Sequence, residues 1–131
     1  MKFFLIFYFI FLMKISLNLF TKKPLKESLS DGQEIYNDFC SQCHLEDGKG
    51  VEGIYPPLAK SDFLTDINRT ISSIKYGLKG PITVNGEEYN SMMVSQGVDD
   101  EEISDVVNYI LNSWGNSTNE LITEEDLKDV I

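Results

Sequence analysis

Histidine occurs once in this 131-residue chain, cysteine twice, and alanine, arginine and tryptophan once each. One histidine and two cysteines cannot complete a zinc site unless a carboxylate joins them. Two cysteines three residues apart brace no fold, so a disulfide framework is excluded. A single arginine, Arg69, in a chain with 11 basic and 21 acidic residues offers no surface for phosphates. Nucleic acid is therefore not a partner. No internal repeat and no long low-complexity segment is present.

Acids are missing from residues 1–23, which hold Lys2, Lys14, Lys22 and Lys23. Lys2 precedes FFLIFYFIFLM, an unbroken apolar run over residues 3–13. That length suits the core of an export signal. As a helix it would span only ~16 Å, short of a ~30 Å hydrocarbon layer. Reading on through Phe20 lengthens the stretch, but Lys14, Ser16 and Asn18 interrupt it. No A-x-A-like cleavage site follows, and no cysteine is spare to carry a lipid. Residues 1–23 are thus either a cleaved signal peptide or a retained N-terminal anchor. Either fate takes residues 24–131 out of the cytoplasm, where nearby cysteines must be oxidised or otherwise consumed.

Thr21 to Leu29 is charged, contains Pro24 and lacks periodicity, so residues 24–30 are expected to be a linker. Ser30 and Gln33 form an S-x-x-Q capping box, which predicts a helix from Ser30 into residues 40–44 with Ile35, Tyr36 and Phe39 on its apolar face. The glycines and prolines of residues 45–58 predict a long loop. Ile67, Ile71 and Ile74 predict a second helix over 66–76, stopped by Gly77. Residues 80–93 read as loop, with a tight turn at Asn85-Gly86. Ile103, Val106, Val107, Ile110, Leu111 and Trp114 form a regular helical stripe after the acidic start at Asp99 and Asp100, ended by Gly115. Residues 116–131 are expected to be an acidic tail with a short helix from Thr123. Three modest helices and long loops bury little apolar surface for so small a domain.

Both cysteines and the histidine stand together in CSQCH, residues 40–44. On a helix, Cys40 and Cys43 share a face and His44 lies beside them, so all three can meet one flat ligand. C-x-x-C-H is the c-type haem attachment pattern: two thioethers to the vinyl groups and an imidazole on the iron. A buried haem would also supply the missing core. The zinc reading needs a fourth ligand. A thioredoxin-like pair sits at a helix N-terminus among strands, whereas this pair ends a helix. A second axial ligand cannot be histidine, and thioether sulfur is the usual alternative. Outside the N-terminal segment the methionines are Met92 and Met93, so one of these two is the candidate.

Residues 31–115 resemble the small monohaem class I cytochromes c of exported bacterial type. The family's fold is all-α, three or more helices with long loops wrapped around one covalent haem. Gly32 and Tyr36, with Val106 and Tyr109, resemble the family's crossing of first and last helices. YPPL, residues 55–58, resembles its Pro-x-Leu. That likeness implies Pro56 as acceptor for the His44 Nδ1–H and Leu58 as packing on the ring. NGEEYNSMMVS resembles N-G-x-x-Y-N-x-x-M-P, which places the iron ligand on Met93 and puts Tyr89 and Asn90 near the ligand or a haem propionate. Val94 stands where the family has proline.

The resemblance implies a non-enzymatic electron carrier with one haem c and iron, periplasmic, either soluble or anchored to the inner membrane. Its expected partners are redox proteins with basic docking surfaces: an upstream quinol-oxidising complex and a terminal oxidase or reductase of a respiratory chain. The alternative is a five-coordinate haem sensor or peroxidase-like protein, which requires the methionine ligand to be absent or labile.

Overall fold

The computed structural model describes residues 2–18 and 22–130. Phe20 and Thr21, included above in the apolar stretch and the linker, lie outside them. Helix α1, Lys2–Asn18, is built from the apolar run, and its side chains from Phe4 to Met13 are exposed. Among the described residues no helix is long and apolar enough to cross a membrane.

Helix α2, Leu25–Ile35, starts five residues before Ser30 and absorbs most of the expected linker. Pro24, extended at φ −63° and ψ 140°, precedes its first turn, where Glu27 suits the helix dipole. Long-range bonds hold this start. Ser28 Oγ donates to Asp105 Oδ1 at 2.6 Å, and Lys23 Nζ donates to Asp105 Oδ2 at 2.6 Å. Lys23 also pairs with Asp31 at 2.6 Å and Glu101 at 3.2 Å. Burial pulls the Lys23 ammonium down, but its bonds to Asp105, Asp31 and Glu101 outweigh that and raise it well above its ordinary value. None of this is visible in local composition.

A π-helical turn, Tyr36–Cys40, joins α2 to the short helix α3, Ser41–His44. The wider turn shifts the helical phase. Tyr36 is fully buried while Phe39, expected on the apolar face, is 41% exposed. Helix α4, Ile67–Tyr76, is capped by Asp66, whose side chain accepts from Arg69 N, and Gly77 closes it at φ 83°. Between α3 and α4 lie a long loop and a 3₁₀ turn, Asp62–Thr65. The segment around Asn85-Gly86, expected as loop, is a small antiparallel hairpin of β1, Ile82–Val84, and β2, Glu87–Tyr89. Asn85 at φ 52° and Gly86 at φ 86° make the turn that matches strand twist.

Helix α5, Asp100–Leu111, begins with a reciprocal capping box between Asp99 and Glu102. It ends at Leu111, before the expected stop at Gly115. Beyond it Trp114 turns to φ 52° and lays its indole 4.9 Å from the Tyr36 ring, with Nε1 donating to Glu46 O at 3.0 Å. The tail is part of the core rather than an appendage. Ile122, Leu127 and Val130 are buried, and α6, Glu124–Leu127, is capped by Thr123 and Asp126. The buried Asn108 amide donates to Ser28 Oγ at 2.9 Å and Ile122 O at 2.8 Å, and accepts from Ile122 N at 2.9 Å. One side chain thereby joins α2, α5 and the tail.

The core centres on the crossing of α2 and α5. A Cβ at Gly32 would lie 2.6 Å from the Asp105 carbonyl carbon and 2.9 Å from Tyr109 Cβ. Only glycine lets the two backbones approach so closely. Tyr36, Tyr109 and Trp114 cluster beside this contact, with Tyr36 and Tyr109 rings 5.5 Å apart.

Candidate functional site

Helix α3 ends immediately after His44 because Leu45 turns to φ 62° and ψ 161°, a conformation that β-carbons disfavour. The Leu45 carbonyl is held by Tyr36 Oη at 2.6 Å and by Gly48 N at 3.1 Å, and Gly50 N donates to His44 O at 2.9 Å. His44 is thus fixed at the helix end. Its Nδ1 lies 2.9 Å from Pro56 O. A carbonyl only accepts, so Nδ1 carries the proton and Nε2 keeps its lone pair for a ligand. Burial pushes the His44 ring below its ordinary value, partly opposed by the Pro56 bond, which favours neutral imidazole.

Cys40 and Cys43 are partly buried, and neither is in a disulfide. Burial, with Cys43 nearby, pushes the Cys40 thiol up to about 11. Cys40 lines an apolar cleft of about 570 Å³, counting space open to solvent, together with His44, Pro56, Pro57, Leu58 and Met93. Cys43 lines an adjoining cleft of about 650 Å³, with Tyr55, Tyr89, Met92 and Met93. His44, Pro56, Leu78, Ile82 and Met93 border both, so the two are lobes of one site. Its apolar walls, paired thiols and neutral imidazole suit a flat apolar macrocycle with a central metal. Among the described residues no three His, Cys, Asp or Glu side chains gather as a metal site, so zinc gains no carboxylate.

A profile of the cytochrome c family matches residues 29–114. This chain belongs to the cytochrome c family. The family carries covalently attached haem c, and Cys40 and Cys43 of this cytochrome stand at its attachment positions. The chain is 38% identical over 94 residues to cytochrome c-552 of Thermus thermophilus, covering 67% of this chain and 71% of that protein. It is 30% identical over 100 residues to the cytochrome c subunit of a quinone alcohol dehydrogenase from Gluconobacter oxydans. That match covers 74% of this chain but 21% of the subunit. The cytochrome subunit of a Gluconobacter japonicus fructose dehydrogenase is 31% identical over 96 residues, covering 67% of this chain and 19% of the subunit. Electron transfer is what this family does.

The two candidate methionines, Met92 and Met93, differ in setting. Met92 is 59% exposed and borders only the Cys43 lobe. Met93 borders both lobes, and its backbone is fixed on each side: Leu78 N donates to Met93 O at 2.8 Å and Met93 N to Leu78 O at 2.9 Å. Leu58 borders the Cys40 lobe and the buried Tyr89 the Cys43 lobe. Asn90 borders neither. With Tyr89 turned inward at the end of β2, Asn90 points to solvent. Sequence reasoning missed Phe63, Leu64, Leu78, Ile82 and Val84, which complete the walls. The 3₁₀ turn, the hairpin and the isolated bridge at Leu78 that carry them have too few residues to show a period.

Proposed function

We propose that this cytochrome c is a one-electron carrier of an extracytoplasmic respiratory chain. In this reading Cys40 and Cys43 hold the haem, and His44 and Met93 ligate its iron. The haem supplies an Fe(II)/Fe(III) couple, whose potential His/Met ligation raises. The observation that carries the reading is the convergence of His44 and Met93 on one apolar cleft. Each is already held in place, His44 by Pro56 at its ring and Gly50 at its backbone, Met93 by Leu78 at its backbone. Pro56 keeps the His44 tautomer and ring orientation, while Leu58, Pro57 and Tyr89 exclude water from the site.

The acidic surface favours redox partners with basic docking faces, such as an upstream quinol-oxidising complex and a terminal oxidase or reductase. Similarity to dehydrogenase cytochrome subunits favours a dehydrogenase as a second source of electrons. The domain would work in the periplasm, soluble or held at the inner membrane through α1.

The test is an absorption spectrum of the haem-loaded protein, oxidised and reduced, beside Met93→Ala and Met92→Ala. A low-spin spectrum whose far-red iron–thioether band disappears only in Met93→Ala is expected. A high-spin ferric spectrum of the unmutated protein would overturn the carrier reading and support the five-coordinate sensor or peroxidase-like alternative. A band lost only in Met92→Ala would overturn the ligand assignment.

A further inference from the structure

Three hydroxyls border the Cys40 lobe of the cleft. Two are used within α4: Thr70 Oγ1 donates to Asp66 O at 3.0 Å, and Ser73 Oγ donates to Arg69 O at 2.7 Å. Ser61 differs. It is only 8% exposed, and among the described residues its Oγ is the buried side-chain polar atom without a hydrogen-bond partner. A buried hydroxyl left unbonded is costly, so a missing acceptor is the natural explanation.

The backbone on both sides of Ser61 is tied down. Lys60 N donates to Asn116 Oδ1 at 2.7 Å, beyond the end of α5. Asp62 N donates to Asn85 Oδ1 at 2.9 Å, and Asn85 N returns a bond to Asp62 Oδ1 at 2.8 Å. The loop is therefore stapled to the α5 exit and to the hairpin turn, and Ser61 cannot reach solvent by a small shift. Leu58, Phe63, Leu64, Ile82 and Val84, which share the lobe with it, carry no side-chain acceptor.

We propose that Ser61 donates its hydroxyl hydrogen to a propionate of the bound haem. This rests on reading the cleft as the haem site. A haem rim carries only two hydrogen-bonding substituents, both carboxylates, on the edge opposite the vinyl groups that Cys40 and Cys43 take. Ser61 lines the cleft, where those carboxylates would be the acceptors its Oγ lacks. A hydroxyl–carboxylate bond is charge-assisted and favours the ionised carboxylate. Ser61 is then a positioning residue that holds one propionate ionised and fixes how the haem sits between the walls.

The test measures the reduction potential of the haem-loaded protein against pH, from about 4 to 8, and locates the bend where a propionate titrates. Ser61→Ala is expected to move that bend upward by about one pH unit, a tenfold change in acidity. Ser61→Thr, which keeps the hydroxyl, is expected to leave it in place. Lys60 and Asp62 are unchanged in both variants and do not contribute to the difference. A bend unmoved in Ser61→Ala overturns the proposal, whether or not the melting temperature falls. So does a change confined to the far-red iron–thioether band, which would place the bond on sulfur. A normal haem spectrum in all three proteins keeps these failures separate from a failure of the haem reading itself.

Discussion

Replacing Gly32 by alanine sets two effects of opposite sign against each other. Alanine is the better helix former by about 1 kcal/mol, so an isolated α2 would gain stability. In the folded protein the new methyl would sit 2.6 Å from the Asp105 carbonyl carbon and 2.9 Å from Tyr109 Cβ. The obstacle at Asp105 is backbone, so α2 and α5 must separate by roughly 1 Å to restore ordinary packing distances, at a cost near the upper end of the ~1–3 kcal/mol for overpacking. That separation also strains the buried Ser28–Asp105 bond, a charge-assisted contact of the class worth ~1.5–3 kcal/mol. Sterics therefore win, with a net loss of about 2–4 kcal/mol and a fall in melting temperature of at least about 10 °C for a domain of this size. Thermal and urea melts of the haem-loaded Gly32→Ala protein, followed by far-ultraviolet circular dichroism, check this. An unchanged or raised melting temperature would refute the helix crossing itself, because only the propensity gain would then remain.

Leu127→Ala should lower stability by about 2–5 kcal/mol in a urea titration, since Leu127 is fully buried; a loss below about 0.5 kcal/mol would return the tail to the status of an appendage. Lys23→Ala should cost about 1–3 kcal/mol by removing the ion pair with the nearly buried Asp105. Because the folded protein raises the Lys23 ammonium, that contribution is complete below about pH 10 and fades as pH climbs above it. The stability difference between wild type and Lys23→Ala should accordingly be flat from pH 6 to 9. Electron transfer to a partner with a basic docking face should slow as ionic strength rises from about 10 to 150 mM, because screening removes the attraction. A rate that rises with salt would instead indicate an acidic partner.

Helix α5 was readable because its stripe from Ile103 to Leu111 and its Asp99–Glu102 cap are local signals, and α4 for similar reasons. CSQCH was readable because its three chemical groups are contiguous. The start of α2 was not, since the residues that hold it, Asp105 for Lys23 and Ser28, lie 82 and 77 positions away. The buried tail escaped notice because Ile122, Leu127 and Val130 are spaced irregularly among acids, and their burial depends on Asn108 meeting Ile122. Trp114 was read as continuing the α5 stripe, yet its left-handed backbone exchanges a helical position for contact with Tyr36 and Glu46. Ser61 gave no signal, because an unbonded hydroxyl shows only once its surroundings are known.

The α2–α5 crossing also bears on how quickly the protein folds. Ser28 and Asp105 are 77 residues apart, so their contact closes almost the whole domain into one loop before it returns any energy. Contacts of such long range slow folding. Clipping His44 to Met93 through one iron would shorten the effective loop to roughly 30 residues and cut its closure cost by about 1 kcal/mol. With α2 and α5 waiting on each other, the chain would gain speed as well as stability from such a clip.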